Sequence, residues 1–144
     1  MLLSKLAIVD TTLREGEQFF KSNFSTGDKV EIARALEQFG VEYIEVTSPT
    51  VSPQSYKDCQ NLAKLGLQTK VITHIRCHLE DAKIALETGV DGINLFMGTS
   101  KFLRQFSHGK SIDEIIDRAA EVITFIHEQN PQICLLYTSD AADD

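Results

Sequence analysis

The chain has 144 residues, of which 42% are apolar and 24% are charged, and its formal net charge is −7. This size and composition fit one globular domain with a single core, and the acidic balance argues against a general nucleic-acid binder, which needs a basic surface. No apolar run approaches the roughly 18 residues of a membrane span, and the start MLLSKLAIVD has no signal-peptide cleavage site. The three cysteines form no CxxC pair, which is typical of reduced thiols in a cytoplasmic protein.

Short β-rich runs alternate with longer amphipathic runs along the chain. Apolar spacing and composition predict strands at 6–10, 42–47, 69–75 and 91–97, with a weaker fifth strand near 132–137. Helical periodicity and capping signals predict helices at about 27–39, 53–65, 79–88 and 111–129. Repeated βα units with short links favour parallel strands that are joined by right-handed crossovers.

Three of the helix-to-strand links contain a glycine at the predicted end of the helix: Gly40, Gly66 and Gly89. Glycine tolerates the left-handed conformation that closes many helices at the carboxyl end. We therefore expect each of these glycines to cap its helix.

Polar residues follow the end of every predicted strand: residues 10–18, Glu45 to Ser48, His74 with Arg76, and Asn94. A doubly wound sheet needs one ligand crevice at its switch point, whereas every strand of a barrel delivers side chains to one mouth. No GxGxxG or P-loop motif follows the first strand. The sequence therefore predicts an α/β fold, the N-terminal half of a (β/α)8 TIM barrel. It would hold about four βα units and an incomplete fifth, because a complete barrel needs around 200 residues or more.

Five residues at this mouth are candidates for chemistry: Arg14, Glu15, Gln18, Glu45 and His74. A carboxylate such as Glu15 is a hard ligand for a divalent cation, and a guanidinium can polarise a carbonyl or hold a carboxylate. Strand alternation points Glu45 into the barrel, where a buried carboxylate needs partners. An imidazole at a strand end can bind a substrate carboxylate or move a proton. An exposed surface ion pair of Arg14 and Glu15 is an equally open alternative.

The segment that follows the fourth strand contains two more features near the mouth. Residues 104–111 carry Gly109 and several polar groups, so this segment is a candidate lid. Phe102, Leu103 and Phe106 are expected to pack a loop, and His108 and His127 are expected to be solvated.

The nine residues DTTLREGEQ (10–18) resemble the signature D-x-T-L-R-[DE]-G-x-Q of the metal-dependent Claisen-condensing barrels. That family includes homocitrate, isopropylmalate and citramalate synthases and related lyases. Four further segments resemble the homocitrate synthase branch: EYIEVTSP (42–49), THIRCH (73–78), ETGVDGINLFMGTS (87–100) and FSHGK (106–110). The resemblance covers residues 5–133 and implies an acyltransferase that condenses acetyl-CoA with 2-oxoglutarate to give homocitrate and CoA in lysine biosynthesis.

The same resemblance implies a role for each candidate residue. Glu15 would be a ligand of a divalent metal, zinc, magnesium or manganese, and Arg14 would polarise the 2-oxo group and stabilise the developing alkoxide. Gln18 and Glu45 would line the substrate site, and His74 would contact the distal carboxylate of 2-oxoglutarate. The implied partners are the oxo-acid and acetyl-CoA, with no nucleic acid or membrane. The parent protein would be a homodimer in the cytoplasm, or in the mitochondrion or nucleus of a eukaryote.

Two departures from the family pattern limit these expectations. Many homocitrate synthases carry aspartate where this chain has Asn94, which puts lysine inhibition in doubt more than catalysis. An ungapped alignment puts the substrate-binding arginine of the fifth strand at position 134, where this chain has Cys134. Residues 1–133 are therefore predicted to be the family part, and residues 134–144 are predicted to be a non-family tail from truncation that does not continue a barrel strand well.

A truncated barrel would lack the remaining metal ligands, so we expect the chain alone to be inactive. Its two unpaired sheet edges predict self-association. Two alternatives stay open at this point. One is a 2-isopropylmalate or citramalate synthase, or another lyase of the family, and the other is a non-catalytic βα binding or assembly module.

Overall fold

Five parallel strands form one sheet in their order along the chain, in a computed structural model that describes residues 6–139, without the side chains of 137–139. The strands are β1 (Val9–Asp10), β2 (Tyr43–Val46), β3 (Lys70–Arg76), β4 (Gly92–Met97) and β5 (Cys134–Ser139). The helices are α1 (Thr26–Phe39), α2 (Pro53–Ala63), α3 (Leu79–Thr88), α4 (Lys101–Leu103) and α5 (Ile112–Gln129). Sequential parallel strands with helical crossovers are the pattern of a (β/α)8 barrel, and five strands make an open half of one.

The register of the sheet separates two faces with different chemistry. Glu45 pairs with Ile72, and His74 pairs with Asn94, so these side chains share the inner face. The outer face carries the aliphatic residues that the helices cover: Ile44, Val46, Val71, Ile75, Ile93 and Leu95. Apolar burial on the outer face stabilises the half-barrel, and the inner face is left to polar groups near the mouth.

The helix ends follow the capping signals of the sequence. Gly40 and Gly89 are the C-caps of α1 and α3, with φ values of 95° and 78°, as expected. Gly66 is also left-handed, with a φ of 68°, but it does not cap α2, because that helix ends at Ala63 with Lys64 as its C-cap. Capping boxes begin α1 and α5, where Ser25 and Ser111 each accept a hydrogen bond from the backbone N–H three residues on.

β1 covers only Val9–Asp10 of the predicted strand 6–10. The structure differs more strongly from the sequence prediction at two other places. The first is the segment after β4, where α4 continues into one π-helical turn over Arg104–His108. The second is β5, which pairs with β4 through Ser139 and shows that this part of the predicted tail continues the sheet. Its LLYT run has the aliphatic, aromatic and β-branched residues that suit a strand beside an open sheet edge. Residues 140–144 of that tail lie outside the described residues.

Within residues 6–139, no helix is long and apolar enough to cross a membrane.

Candidate functional site

The loop after β1, residues 11–18, is folded tightly over the mouth of the half-barrel and is called the mouth loop below. The backbone N–H groups of Arg14 and Glu15 both donate to the carbonyl of Thr11, at 3.0 and 2.8 Å. Asp10 Oδ1 accepts from the Thr12 N–H at 2.9 Å, which fixes the turn where the strand ends. Leu13 is buried in the core. These contacts direct Arg14 towards the end of β2.

Glu45 is the centre of the polar cluster on the inner face. It is 1% exposed, and its two carboxylate oxygens face different partners. Arg14 Nε donates to Oε2 at 2.5 Å, and Asn94 Nδ2 donates to Oε1 at 2.6 Å. His74 Nδ1 lies 3.7 Å from Oε1, which is beyond hydrogen-bond distance. The structure thus brings together Arg14 and the polar residues of three successive strands.

The cluster keeps this buried carboxylate charged. Burial raises the pKa of Glu45, but His74, Asn94 and Arg14 more than offset that effect and lower the pKa from 4.5 to about 2. Glu45 is therefore an anion at neutral pH, and it holds the Arg14 guanidinium at the mouth.

His74 lies between this cluster and an open cleft. Its ring is tilted against Phe96 with centroids 5.6 Å apart, and its side chain is 25% exposed. Within the described part of the chain, Nδ1 is a buried polar atom that no hydrogen bond satisfies. The cleft measures about 330 Å³ and is lined by Ser48, Thr50, Val51, His74, Ile75 and Arg76. A ligand in this cleft can reach the imidazole.

Glu15 and Gln18 are placed differently from Glu45. The Glu15 side chain is 54% exposed and pairs with Arg14 Nη1, so Arg14 bridges an exposed and a buried carboxylate. Arg14 thus makes the surface ion pair that the sequence left open and also reaches the buried Glu45, and the chemical roles of Arg14 and Glu15 stay predictions. Gln18 ends a 3₁₀ turn (Gly16–Gln18) and is exposed. Within residues 6–139, its side chain makes no hydrogen bond to the cluster, and its binding role stays a prediction.

A divalent metal does not fit the described residues by themselves. Across residues 6–139, no group of three or more His, Cys, Asp or Glu side chains is arranged to hold a metal ion. Glu15 is one exposed carboxylate, and hard divalent cations need several oxygen ligands. No chemical step at this mouth can therefore be assigned to a metal held by these residues alone.

Sequence reasoning missed a second buried polar cluster, which lies behind the mouth loop and contains Glu17, Lys29, Thr47 and Asp58. A signal was present, because Lys29 lies four residues before the buried Ala33, and Asp58 lies four residues before the buried Leu62. Each charged residue therefore falls on the core-facing stripe of its helix.

The segment after β4 corrects two expectations. His108 is half-buried, and its Nε2 lies 2.9 Å from the carbonyl oxygen of Gly98, because the π turn folds it back towards the end of β4. His127 is exposed, as expected. Phe102 and Phe106 do not pack a loop: they are 65% and 68% exposed, and their ring centroids lie 4.9 Å apart. Leu103, between them, is half-buried. The lid role of residues 104–111 stays a prediction.

The register of β5 shows which of its residues lies level with the site. Cys134 pairs with Gly92, two residues before Asn94, whereas Leu136 pairs with Asn94. Position 136, not 134, is thus the level of His74 and Asn94. Cys134 and Leu136 are both uncharged, so β5 does not supply the positive charge of the family's substrate-binding arginine at either position.

Most of this chain is similar in sequence to curated proteins. The chain is 56% identical over 131 residues to the cytosolic homocitrate synthase isozyme of Saccharomyces cerevisiae, covering 91% of this chain and 31% of that protein. It is 57% identical over 126 residues to the mitochondrial homocitrate synthase of the same yeast, covering 88% of this chain and 29% of that protein. The chain thus spans about a third of the length of these curated relatives.

Solved structures show the fold. The hydroxymethylglutaryl-CoA lyases of Bacillus subtilis and Pseudomonas aeruginosa superpose with a TM-score of 0.72 each, at 22% and 24% identity. Each superposition covers 94% of this chain and 46% of the lyase, which is what half of a barrel requires. Residues 5–142 match the HMGL-like family. The chain belongs to the HMGL-like family.

Proposed function

We propose that this chain is the N-terminal part of a homocitrate synthase, which condenses acetyl-CoA with 2-oxoglutarate to give homocitrate and CoA. One observation carries the proposal: Arg14, Glu45, His74 and Asn94 meet at one mouth of a half-barrel. The 56–57% identity to yeast homocitrate synthases supports the choice of oxo-acid.

Arg14 is the residue for the carbonyl of the oxo-acid. A guanidinium has five N–H donors, and the contacts with Glu15 and Glu45 use two of them. Its other donors suit the 2-oxo oxygen. The negative charge on this oxygen grows when the acetyl-CoA enolate attacks the carbonyl carbon to which it is bonded. The thioester of the adduct is then hydrolysed, which releases CoA.

His74 is the residue for the distal carboxylate of 2-oxoglutarate. It borders the open cleft, and no hydrogen bond holds its Nδ1 in place within the described residues. The imidazole ring can therefore turn towards a ligand that offers it a hydrogen-bond partner. Gln18 and Glu45 line the remainder of the oxo-acid site in this proposal.

The charges explain why the isolated chain should not turn over. Arg14, Glu15 and Glu45 together carry a formal charge of −1, which disfavours the binding of a dianionic oxo-acid. A divalent cation, zinc, magnesium or manganese, would reverse this sign. We propose that Glu15 supplies one ligand of such a cation and that the parent protein supplies the others outside residues 6–139.

Two assays test the proposal. The 144-residue chain should give no CoA release from acetyl-CoA and 2-oxoglutarate with any of the three metals, and clear turnover contradicts its inactivity. The parent protein should prefer 2-oxoglutarate over pyruvate and 2-oxoisovalerate. A preference for either of the other acids points instead to a citramalate or 2-isopropylmalate synthase, and inactivity with all three points to a non-catalytic module.

A homodimeric parent and a cytoplasmic location, or a mitochondrial or nuclear one, stay predictions of the same proposal. The two yeast relatives are named as cytosolic and mitochondrial isozymes, so relatives this similar occur in both compartments. The predicted non-family origin of residues 134–144 also stays a prediction, and the DNA downstream of codon 133 in the parent gene tests it.

A further inference from the structure

The cluster of Glu17, Lys29, Thr47 and Asp58 behind the mouth loop has no part in the proposed reaction and is called the loop anchor below. Lys29 is 6% exposed, although it carries a full charge. Its Nζ lies 2.7 Å from Asp58 Oδ2 and also pairs with Glu17 Oε1. A buried ammonium needs such partners, and breaking one of its ion pairs is strongly destabilising.

The two carboxylates of the loop anchor connect different parts of the fold. Asp58 Oδ1 accepts hydrogen bonds from Thr26 Oγ1 at 2.7 Å and from Gln54 Nε2 at 2.9 Å, so Asp58 ties α1 to α2. Glu17 lies in the mouth loop, and its Oε2 accepts from Thr47 Oγ1 at 2.7 Å. Of the two carboxylates in the loop anchor, Glu17 is therefore the one that belongs to the segment carrying Arg14 and Glu15.

Glu17 and Arg14 attach the mouth loop to neighbouring points of β2. Arg14 bonds to Glu45 within the strand, and Glu17 bonds to Thr47 directly after it. Thr47 Oγ1 also lies 3.2 Å from the carbonyl oxygen of Leu13, the residue before Arg14. Two tethers at this spacing restrict both the position and the tilt of the loop.

We propose that Glu17 is a positioning residue: held by Lys29 and Thr47, its carboxylate fixes the loop that presents Arg14 and Glu15 at the mouth. The effect of Glu17 on catalysis rests on the proposed function. The effect of Glu17 on the order of the mouth loop does not rest on it and can be measured without any turnover.

Hydrogen exchange of the 144-residue chain, followed by mass spectrometry, measures this dependence. The probes are the amides of Arg14, Glu15 and Gln18, which donate to carbonyls within the mouth loop. Glu17→Ala removes the tether and should speed their exchange by about tenfold or more, the effect of losing hydrogen bonds to a charged group. A peptide from α3 serves as the reference for global opening.

Asp58→Ala is the matched control, because it breaks the other ion pair of Lys29 and leaves the direct hydrogen bonds of the mouth loop unchanged. If it does not fold, as shown by lost protection in α3, Asp58→Asn takes its place as the control. It should keep loop exchange within about twofold of the unsubstituted chain after correction for the reference peptide. Glu17→Gln should restore protection, because its amide can accept from Lys29 and donate to Thr47 Oγ1.

Three results would overturn the assignment of Glu17. They are wild-type loop protection in Glu17→Ala, equal release of the loop in Asp58→Ala, and no recovery in Glu17→Gln. If Glu17→Ala does not fold, as shown by lost protection in α3, Thr47→Val replaces it. That variant keeps the side-chain shape and removes one partner of Glu17 together with the 3.2 Å contact of Thr47 Oγ1 with the Leu13 carbonyl oxygen. Reduced loop protection is therefore expected, and unchanged protection contradicts the assignment.

Discussion

At the scale of single residues, the site depends on one buried carboxylate that its neighbours keep charged. The pKa of Glu45 falls from 4.5 to about 2 on folding, so the unfolded chain binds the proton more tightly than the folded chain does. The resulting stabilisation, about 3 kcal/mol, is fully present above pH 4.5 and is lost as the pH falls from there through about 2.

Glu45→Gln tests this linkage. The variant should lose part of its free energy of unfolding at pH 7, and that free energy should fall less between pH 4.5 and pH 2 than it does in the unsubstituted chain. Urea unfolding across this pH range is the measurement. The control is Glu31→Gln, which makes the same charge change on an exposed residue of α1. An unchanged pH dependence in Glu45→Gln would show that Glu45 is not the group responsible.

Asn94→Asp tests the opposite change at the same place. The new carboxylate would face Glu45 Oε1, which now accepts from Asn94 Nδ2 at 2.6 Å. Two buried carboxylates at this distance repel, so the variant should lose about 2 kcal/mol of unfolding free energy at pH 7 and less at pH 5. Asn94→Leu removes the donor without adding charge, and its loss should not depend on pH in this range. Equal losses at both pH values in Asn94→Asp would contradict the electrostatic explanation.

Individual site residues were predictable from the sequence to different degrees. Strand alternation was enough to point Glu45 to the inner face, and the structure confirms its burial. The burial of Lys29 was not foreseen, because its partners Glu17 and Asp58 come from other elements and only the fold brings them together. Polar residues on a core-facing stripe are ambiguous until those partners are known.

At the scale of secondary-structure elements, close contact between strands β3, β4 and β5 depends on Gly92. A Cβ at this position would lie 2.7 Å from Ile72 Cγ2 and 2.9 Å from both Cβ and the carbonyl oxygen of Cys134. Because one of these atoms is backbone, a strand would have to move.

Gly92→Ala should therefore lower the free energy of unfolding by about 2 kcal/mol, the usual effect of overpacking a core. Gly27→Ala is the matched control in the first turn of α1, where the nearest atom, Ser25 Oγ, would be 3.6 Å away. That substitution should be neutral or stabilise by up to about 1 kcal/mol. Denaturant midpoints of the two variants measure the difference, and equal midpoints would mean that the strands adjust freely around Gly92.

The predicted helices and strands were confirmed where local signals agree with tertiary packing. α1 and α5 have both an apolar stripe and a capping box, and their observed bounds lie close to the predicted ones. The helical segment Lys101–His108 was missed. Its Phe102 and Phe106 are exposed to solvent, so its apolar residues do not recur on one core-facing side as those of a packed helix do. β5 was only weakly predicted, because its strand conformation depends on the edge of β4 that it joins.

At the scale of the whole molecule, the half-barrel has two open edges. β1 and β5 each pair with one neighbour only among the described residues, which leaves backbone N–H and C=O groups free to pair with another chain. Leu6 and Ile8 beside β1 are 86% and 54% exposed. The isolated chain should therefore self-associate with rising concentration in sedimentation velocity experiments, and a monodisperse monomer that unfolds cooperatively would contradict this prediction.

The central claim is that the oxo-acid site lies in this half of the barrel, with His74 selecting the diacid. A chimera tests it most directly, in which the matching 131 residues of the yeast cytosolic isozyme are replaced by those of this chain. The measurement is the ratio of kcat/KM for 2-oxoglutarate to that for pyruvate, which has no distal carboxylate, before and after His74→Leu. We predict a chimera that prefers 2-oxoglutarate and loses about a hundredfold of that preference in His74→Leu, the effect of leaving a buried charge unpaired. An active chimera whose ratio His74→Leu leaves unchanged would contradict the claim.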